Sequence, residues 1–191
     1  MLASGEPQPV FFYDLASVWC YLAAEQIMSA LSVVPEWEPV VGGDVAASHD
    51  EQGVDRELVA RRAAQLGLQP LRWPRHWPPD PRPCALAATY AKRGGRAVAF
   101  SLAAFRQQFA GGRDIAERDT VLIAAAACEM HPSAVLKGME LRSTNAALRR
   151  AGERARAAGI VELPAIAFDG GVFGGATAVE RAASELARGA R

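Results

Sequence analysis

The stretch that decides the fold is FFYDLASVWCYL, from Phe11 to Leu22. Its apolar start is typical of a buried strand that ends at Asp14, and a helix is predicted to begin at Ser17. The helix opens with Ser17-x-x-Cys20. Two cysteines at this spacing could cycle through an internal disulfide, but a serine cannot take part in that cycle. A hydroxyl at a helix N-terminus can instead donate a hydrogen bond to an anion, which the free N–H groups and the helix dipole favour there.

Both side chains also have a purely structural interpretation. Serine is among the best N-cap residues, and a cap contributes about 1 kcal/mol. We therefore keep two roles open for Ser17, a cap and a functional hydroxyl, which can coexist. Cys20 lies three residues into the helix, where a lone thiol most often packs as a small apolar residue.

The composition describes an ordinary globular protein. The 191 residues carry no formal net charge, 22% of them are charged, and half are apolar. This length predicts one domain, with room for a subdomain insertion. No basic excess exists to bind a phosphate backbone, so we expect no nucleic-acid partner.

The sequence also predicts a cytoplasmic protein without membrane or metal contacts. The N-terminus lacks the basic start and apolar run of a signal peptide, and the apolar stretch from Val121 to Cys128 is too short to span a bilayer. Three scattered cysteines indicate reduced thiols rather than a disulfide framework. No close cluster of metal ligands is formed by the cysteines or by His49, His76 and His131.

The first part of the chain predicts a strand–helix–strand unit. Strands are expected over residues 8–15 and from Glu36 to Val41, where Gly42-Gly43 ends the second strand, and a helix from Ser17 to Leu31. Such a unit implies a parallel pair with a right-handed crossover. A run of helices follows, predicted over Val54 to Leu66, Cys84 to Arg93, Ala97 to Phe109, Glu117 to Met130, Ser133 to Leu141 and Asn145 to Ala158.

Two short strands and a helix close the chain. The strands are predicted from Leu163 to Phe168 and over Val172-Phe173, and Asp169-Gly170 between them is typical of a hairpin. A last helix runs to about Arg188. This order of elements predicts an α/β protein, a thioredoxin-like fold with an inserted helical subdomain. We assign residues 8–45 and 143–188 to the thioredoxin-like domain and residues 50–142 to the insert.

The chain resembles the DsbA-like superfamily, and within it the 2-hydroxychromene-2-carboxylate isomerases and the kappa-class glutathione transferases. The similarity covers about residues 9 to 187. It is carried by four stretches: Phe12 to Ala23, Phe109 to Ile115 with Val121-Leu122, Glu153 to Pro164, and Phe173-Gly174-Gly175. The chain departs from the family pattern at Val18 in place of proline, at Glu162 in place of glycine, and at Ala176 and Thr177 where an acidic residue is usual.

The resemblance implies glutathione as cofactor. It places the Ser17 hydroxyl against the cofactor sulfur and the backbone of Leu163, before a cis Pro164, against the cofactor peptide. It places the other end of the cofactor at Gly175, Ala176 and Thr177. In the isomerases, the thiolate is thought to add to an unsaturated substrate, to allow rotation about a bond, and to leave again. The implied activity is a glutathione-dependent isomerase or transferase of aromatic or hydrophobic small molecules, and relatives are commonly homodimers.

The substrate side is assigned to side chains around a proline-rich loop. The candidate substrate-binding residues are Trp19, Cys20, Trp73, Arg75, His76 and Trp77. Aromatic rings suit a substrate ring and basic groups suit its carboxylate. The alternative is a stiff connector whose tryptophans cover the core. Two other functions also stay open: a DsbA-type thiol–disulfide oxidoreductase using Cys20, and a non-catalytic relative that binds a small ligand.

Overall fold

A four-stranded mixed sheet forms the centre of the computed structural model, which describes residues 8–46 and 51–189. The strands are β1 (Val10–Tyr13), β2 (Glu36–Pro39), β3 (Ala165–Phe168) and β4 (Gly171–Gly174). Their order is β2-β1-β3-β4; β1 and β2 are parallel, and the other two pairs are antiparallel. The predicted arrangement of two early and two late strands is therefore confirmed.

Nine helices accompany the sheet within these described ranges. They are α1 (Val18–Ala30), α2 (Gly42–Val45), α3 (Arg56–Gln65), α4 (Arg82–Arg93), α5 (Ala97–Phe109), α6 (Arg118–Ala126), α7 (Pro132–Glu140), α8 (Arg142–Ala157) and α9 (Ala178–Gly189). Helices α2 to α8 lie between β2 and β3 in the chain, as an inserted helical segment requires. Because α4, α5 and α8 all contact β2, the boundary between two domains stays a prediction. None of the nine helices is long and apolar enough to cross a membrane.

Several predicted boundaries differ from the structure. The glycines expected only to end β2 instead begin the short helix α2. Helix α6 ends at Ala126 rather than at Met130, because Glu129 has a positive φ of 58° and the Met130 N–H bonds back to the Ala125 carbonyl. Three strands are shorter than predicted: β1 is limited to Val10–Tyr13, β2 ends at Pro39, and β3 begins after Pro164. Strand β4 is longer than predicted, since it spans Gly171–Gly174.

The hairpin between β3 and β4 confirms the expected turn chemistry. Asp169 and Gly170 are its two central residues, and both have positive φ, 49° and 73°. This is the geometry of a type I′ turn, whose twist matches that of the strands on either side.

Aromatic side chains fix β1 in the core. The ring of Tyr13 lies 5.1 Å from Phe11 and 5.4 Å from Trp37, while Phe105 of α5 lies 6.0 Å away. The Tyr13 hydroxyl lies 2.7 Å from the hydroxyl oxygen of Ser101, within hydrogen-bond distance, so this buried polar group is satisfied. Burial raises the pKa of Tyr13 far above its ordinary value. Tyr13 therefore stays uncharged, and the strand that leads into Ser17 is held in place by tightly packed aromatic side chains.

Candidate functional site

Ser17 is the N-cap of α1. Its φ and ψ are extended (−83° and 123°), and its hydroxyl oxygen accepts a hydrogen bond from the Cys20 N–H over 3.3 Å. Its own N–H donates to the Asp14 carbonyl at 3.1 Å. The side chain is completely buried. The structural role expected of Ser17 is therefore present, and its catalytic role stays a prediction.

Asp14 holds the turn between β1 and α1. One carboxylate oxygen accepts the Ala16 N–H at 2.7 Å, and the other accepts the N–H of Gly42 at the start of α2. The side chain is almost fully buried. One carboxylate thus ties the strand end to the starts of two helices. The sequence indicated only that Asp14 ends the strand.

Glu51 supplies a carboxylate at the N-terminus of α1. Its Oε2 accepts the Val18 N–H over 3.3 Å, and its backbone carbonyl accepts the indole N–H of Trp77 at 2.7 Å. Only 7% of Glu51 is exposed. The first turn of α1 therefore already binds an anion, as helix N-termini commonly do. The sequence carried no sign of this contact, because Glu51 belongs to no motif and lies 33 residues from Val18.

Cys20 packs in the interior, on the side of α1 away from solvent. It is fully buried, and its sulfur accepts the Asp14 N–H at 3.4 Å. Burial raises the pKa of the Cys20 thiol well above its ordinary value. Because the thiolate is the reactive form, this cysteine is a poor nucleophile. Cys84 and Cys128 are free and buried as well.

The Leu163–Pro164 peptide bond is cis, as expected, and a second cis bond joins Trp77 to Pro78. The antiparallel register of β1 and β3 ends at the pair of Phe12 with Ala165, the residue that directly follows Pro164. Pro164 therefore lies at the end of the sheet where β1 turns into Ser17. Among the described residues, the N–H and C=O of Leu163 have no hydrogen-bond partner, although the side chain is buried. An extended peptide could pair with these two groups.

The turn before α9 carries the remaining residues expected to bind a cofactor. Gly175 has a positive φ of 82°, and its N–H donates to the Pro164 carbonyl at 2.9 Å. Ala176 and Thr177 are exposed. A methyl group on Gly175 would lie 2.5 Å from Oε2 of Glu162. The structure thus brings a carboxylate to this turn from another part of the chain.

The proline-rich loop contributes an aromatic pair. The rings of Trp73 and Trp77 meet edge to face at 4.6 Å, and Trp77 lies 5.8 Å from Phe109 of α5. The guanidinium of Arg56 stacks over Trp73 at 4.5 Å. Both tryptophans are half-buried against the core, so the structural role proposed for them is present. Their contact with substrate stays a prediction.

The other expected substrate-binding side chains occupy different environments. Arg75 and His76 are exposed, and Trp19 is half-buried. Trp77 reaches the N-terminus of α1 through its hydrogen bond to Glu51, whereas Arg75 and His76 make no hydrogen bond or ion pair with any other described residue. Over residues 8–46 and 51–189, no group of three or more His, Cys, Asp or Glu side chains could hold a metal ion. His49 lies outside the described residues.

Known structures share this fold at low sequence identity. A 2-hydroxychromene-2-carboxylate isomerase superposes with a TM-score of 0.82 and 14% identity, covering 96% of both chains. A probable DsbA oxidoreductase from Streptomyces coelicolor gives a TM-score of 0.77 at 19% identity, covering 97% of this chain and 91% of that one. The cytosolic disulfide reductase DsbM from Pseudomonas aeruginosa, in a structure with GSH, gives 0.66 at 16% identity, covering 95% and 99%.

Sequence comparison gives the family. No curated protein matches the chain significantly. The model of the DSBA-like thioredoxin domain matches residues 10–187, nearly the whole chain. Together with the four-stranded sheet, its inserted helices and the Ser17 and Pro164 positions, this match shows that the protein belongs to the family of DSBA-like thioredoxin domains.

Proposed function

We propose that the protein is a glutathione-dependent isomerase or transferase of aromatic or hydrophobic small molecules. The observation that carries this proposal is an anion-binding helix N-terminus capped by a serine. The first turn of α1 already donates a hydrogen bond to the carboxylate of Glu51, at a position where Ser17 replaces the first cysteine of a redox pair. The similarity in fold to an isomerase, and to a reductase with GSH in its structure, gives supporting context.

Ser17 is suited to stabilise a thiolate. Its oxygen accepts the Cys20 N–H, so its own hydroxyl hydrogen is left to donate toward an anion. Glutathione, when bound, supplies a nucleophilic thiol. The Ser17 hydroxyl and the positive end of the helix dipole favour its ionised form, as charge-assisted hydrogen bonds do.

The backbone of Leu163 is suited to hold the cofactor peptide. Its N–H and C=O are free of other described groups and lie at the end of β3. A peptide placed there would add to the sheet in an extended conformation. Gly175, Ala176 and Thr177, which follow β4, would contact the γ-glutamyl end.

Side chains around the loop would receive the second substrate. The edge-to-face pair of Trp73 and Trp77 offers flat apolar surface, and the exposed Arg75 and His76 offer positive charge for a carboxylate. Trp19, half-buried in the first turn of α1, would complete the wall. Cys20 would lie behind this wall and contribute packing.

The buried state of the thiols argues against a disulfide oxidoreductase. Cys20 has no cysteine at position 17 to resolve a mixed disulfide, and its thiol is both buried and kept protonated. A dithiol cycle needs an accessible thiolate and a nearby partner.

Ligand-induced stabilisation tests the proposal. A ligand that binds only the native state raises the unfolding free energy, by about 2.7 kcal/mol at a hundred times its Kd. We expect the melting temperature to rise with glutathione concentration, and to rise less with the analogue in which serine replaces the cysteine. Conversion of 2-hydroxychromene-2-carboxylate, followed by its absorbance, then tests the isomerase activity. No shift at millimolar glutathione would contradict the proposal.

A further inference from the structure

We propose that the Glu51 carboxylate occupies the position that the glutathione sulfur takes, and that the cofactor displaces it. Glu51 is then a residue that sets the affinity for glutathione. This inference rests on the proposed function, since it concerns the same helix N-terminus.

Burial supports the overlap of the two positions. Ser17 has no exposed surface, and Glu51, which bonds to the adjacent Val18 N–H, is only 7% exposed. A sulfur atom cannot reach the Val18 N–H while the Glu51 carboxylate holds it, and the buried Ser17 hydroxyl lies next to that group in the chain. The Val18 N–H also points at one acceptor at a time, so a carboxylate and a thiolate compete for it.

Charge makes the competition stronger. A thiolate and a carboxylate within one helical turn repel each other, and this repulsion is large where solvent is excluded. Cofactor binding with Glu51 in place would therefore favour the protonated thiol. Removal of the Glu51 carboxylate leaves its position beside the Val18 N–H to the thiolate, and the positive end of the helix dipole then stabilises the thiolate alone.

The anchoring of Glu51 indicates how the displacement proceeds. Its backbone carbonyl is held by the Trp77 indole N–H at 2.7 Å, and Trp77 packs against Trp73 and Phe109. The backbone at Glu51 is thus fixed to the aromatic pair. A turn of the Glu51 side chain away from α1 releases the Val18 N–H, while the contact of its backbone with Trp77 keeps the loop beside the site.

Titration calorimetry with glutathione tests the inference. The variants are Glu51→Gln, which keeps the size and removes the charge, and Glu51→Ala, which removes both. Glu57→Gln is the matched control, since Glu57 is an exposed acid in the first turn of α3. Circular dichroism establishes that each variant is folded.

We expect Glu51→Ala to bind glutathione about tenfold to a hundredfold more tightly than the wild type, the range for one charge-assisted hydrogen bond. We expect a smaller gain for Glu51→Gln, no change for Glu57→Gln, and little gain with the serine analogue of glutathione. Equal or weaker binding by both Glu51 variants would overturn the inference and leave the proposed function intact. If neither the wild type nor any variant binds glutathione, the inference about Glu51 and the proposed function are both contradicted. If Glu51→Ala does not fold, the glutathione affinity of Glu51→Gln relative to that of the wild type tests the inference.

Discussion

The Ser17 hydroxyl oxygen accepts the Cys20 N–H over 3.3 Å, while the Cys20 sulfur accepts the Asp14 N–H over 3.4 Å. The serine and the cysteine of the motif therefore face different surroundings. The Ser17 side chain pairs with a free N–H at the start of α1 and keeps its hydroxyl hydrogen to donate, whereas the Cys20 side chain points inward toward the end of β1. The two residues can be separated by mutation.

Replacing Ser17 by alanine tests its role. If the hydroxyl stabilises the cofactor thiolate, Ser17→Ala raises the pKa of bound glutathione and lowers kcat about tenfold to a hundredfold, since such a hydrogen bond contributes about 1.5–3 kcal/mol. The measurement is thiolate absorbance of the bound cofactor against pH, together with steady-state kinetics.

The same substitution has a different result if Ser17 is only a cap. Stability then falls by about 1 kcal/mol, and the folded enzyme keeps its activity. Ser29→Ala is the matched control, because Ser29 lies on the same helix and its hydroxyl donates to the nearby Gln26 carbonyl. Full glutathione-dependent activity in Ser17→Ala would remove the proposed role.

Cys20 is expected to be unreactive in the native protein. Because burial raises the pKa of its thiol, thiol reagents should label it slowly at pH 8, and unfolding should release the three free cysteines to the reagent. Cys20→Ala should leave isomerase activity nearly unchanged and cost about 1 kcal/mol of stability for the lost hydrogen bond. Rapid native labelling at Cys20, or loss of all activity in Cys20→Ala, would favour the oxidoreductase instead.

The local parts of the fold could be predicted because nearby residues encode them. Asp169-Gly170 predicts a turn that needs two positive φ values, and both residues have them. The helix predicted to end at Ala158 has its C-cap at that residue, because Gly159 follows it with a φ of 80°. The strand–helix–strand unit followed from apolar spacing. The prediction at Gly42 was incomplete, because a glycine after a strand indicates only that the strand ends. The Gly42 N–H donates to the Asp14 carboxylate, and Gly42 begins the short helix α2.

The candidate site was harder to predict because distant residues complete it. Glu51 reaches Val18 across 33 positions, and the amide of the buried Gln108 reaches the Ala16 carbonyl across 92 positions. Neither residue belongs to a motif. Their positions depend on how the inserted helices and loop pack against α1, which local propensity does not encode.

Asp14 should be needed for folding rather than for chemistry. Its carboxylate accepts the N–H groups of Ala16 and Gly42 in the interior, and an asparagine would turn a donor toward one of them. We expect Asp14→Asn to lower the unfolding free energy by about 2–3 kcal/mol, measured by urea denaturation. Glu153→Gln, at an exposed pair on α8, is the control and should change it by less than about 0.5 kcal/mol. An unchanged Asp14→Asn would show that the carboxylate does not hold the turn.

Gly138 should be intolerant of any side chain. An added methyl group would lie 2.4 Å from ring atoms of Tyr90, where α7 crosses α4. We expect Gly138→Ala to cost about 1–3 kcal/mol through overpacking, read from the thermal midpoint. Gly152→Ala on α8 is the matched control, because the nearest atom to its methyl group would be 3.7 Å away. The control should gain up to about 1 kcal/mol from helix propensity, and a stable Gly138→Ala would mean that α7 shifts freely.

Glu36 should make part of the stability depend on pH. Burial alone would raise its pKa, but hydrogen bonds from Lys92 at 2.6 Å and Arg154 at 3.1 Å outweigh burial and lower the pKa below its ordinary value. A lowered folded-state pKa means that this contribution is complete above the unfolded pKa and is lost as the pH falls through the folded value.

The comparison of wild type with Glu36→Gln isolates this effect. Because Glu36 is only partly buried, we expect the wild type to be more stable by at most about 1 kcal/mol above pH 5, with the difference disappearing as the pH falls below about 4. Urea denaturation at a series of pH values measures it, and Glu153→Gln again serves as an exposed control. A difference that persists unchanged at pH 3 would show that Glu36 contributes through packing rather than through its charge.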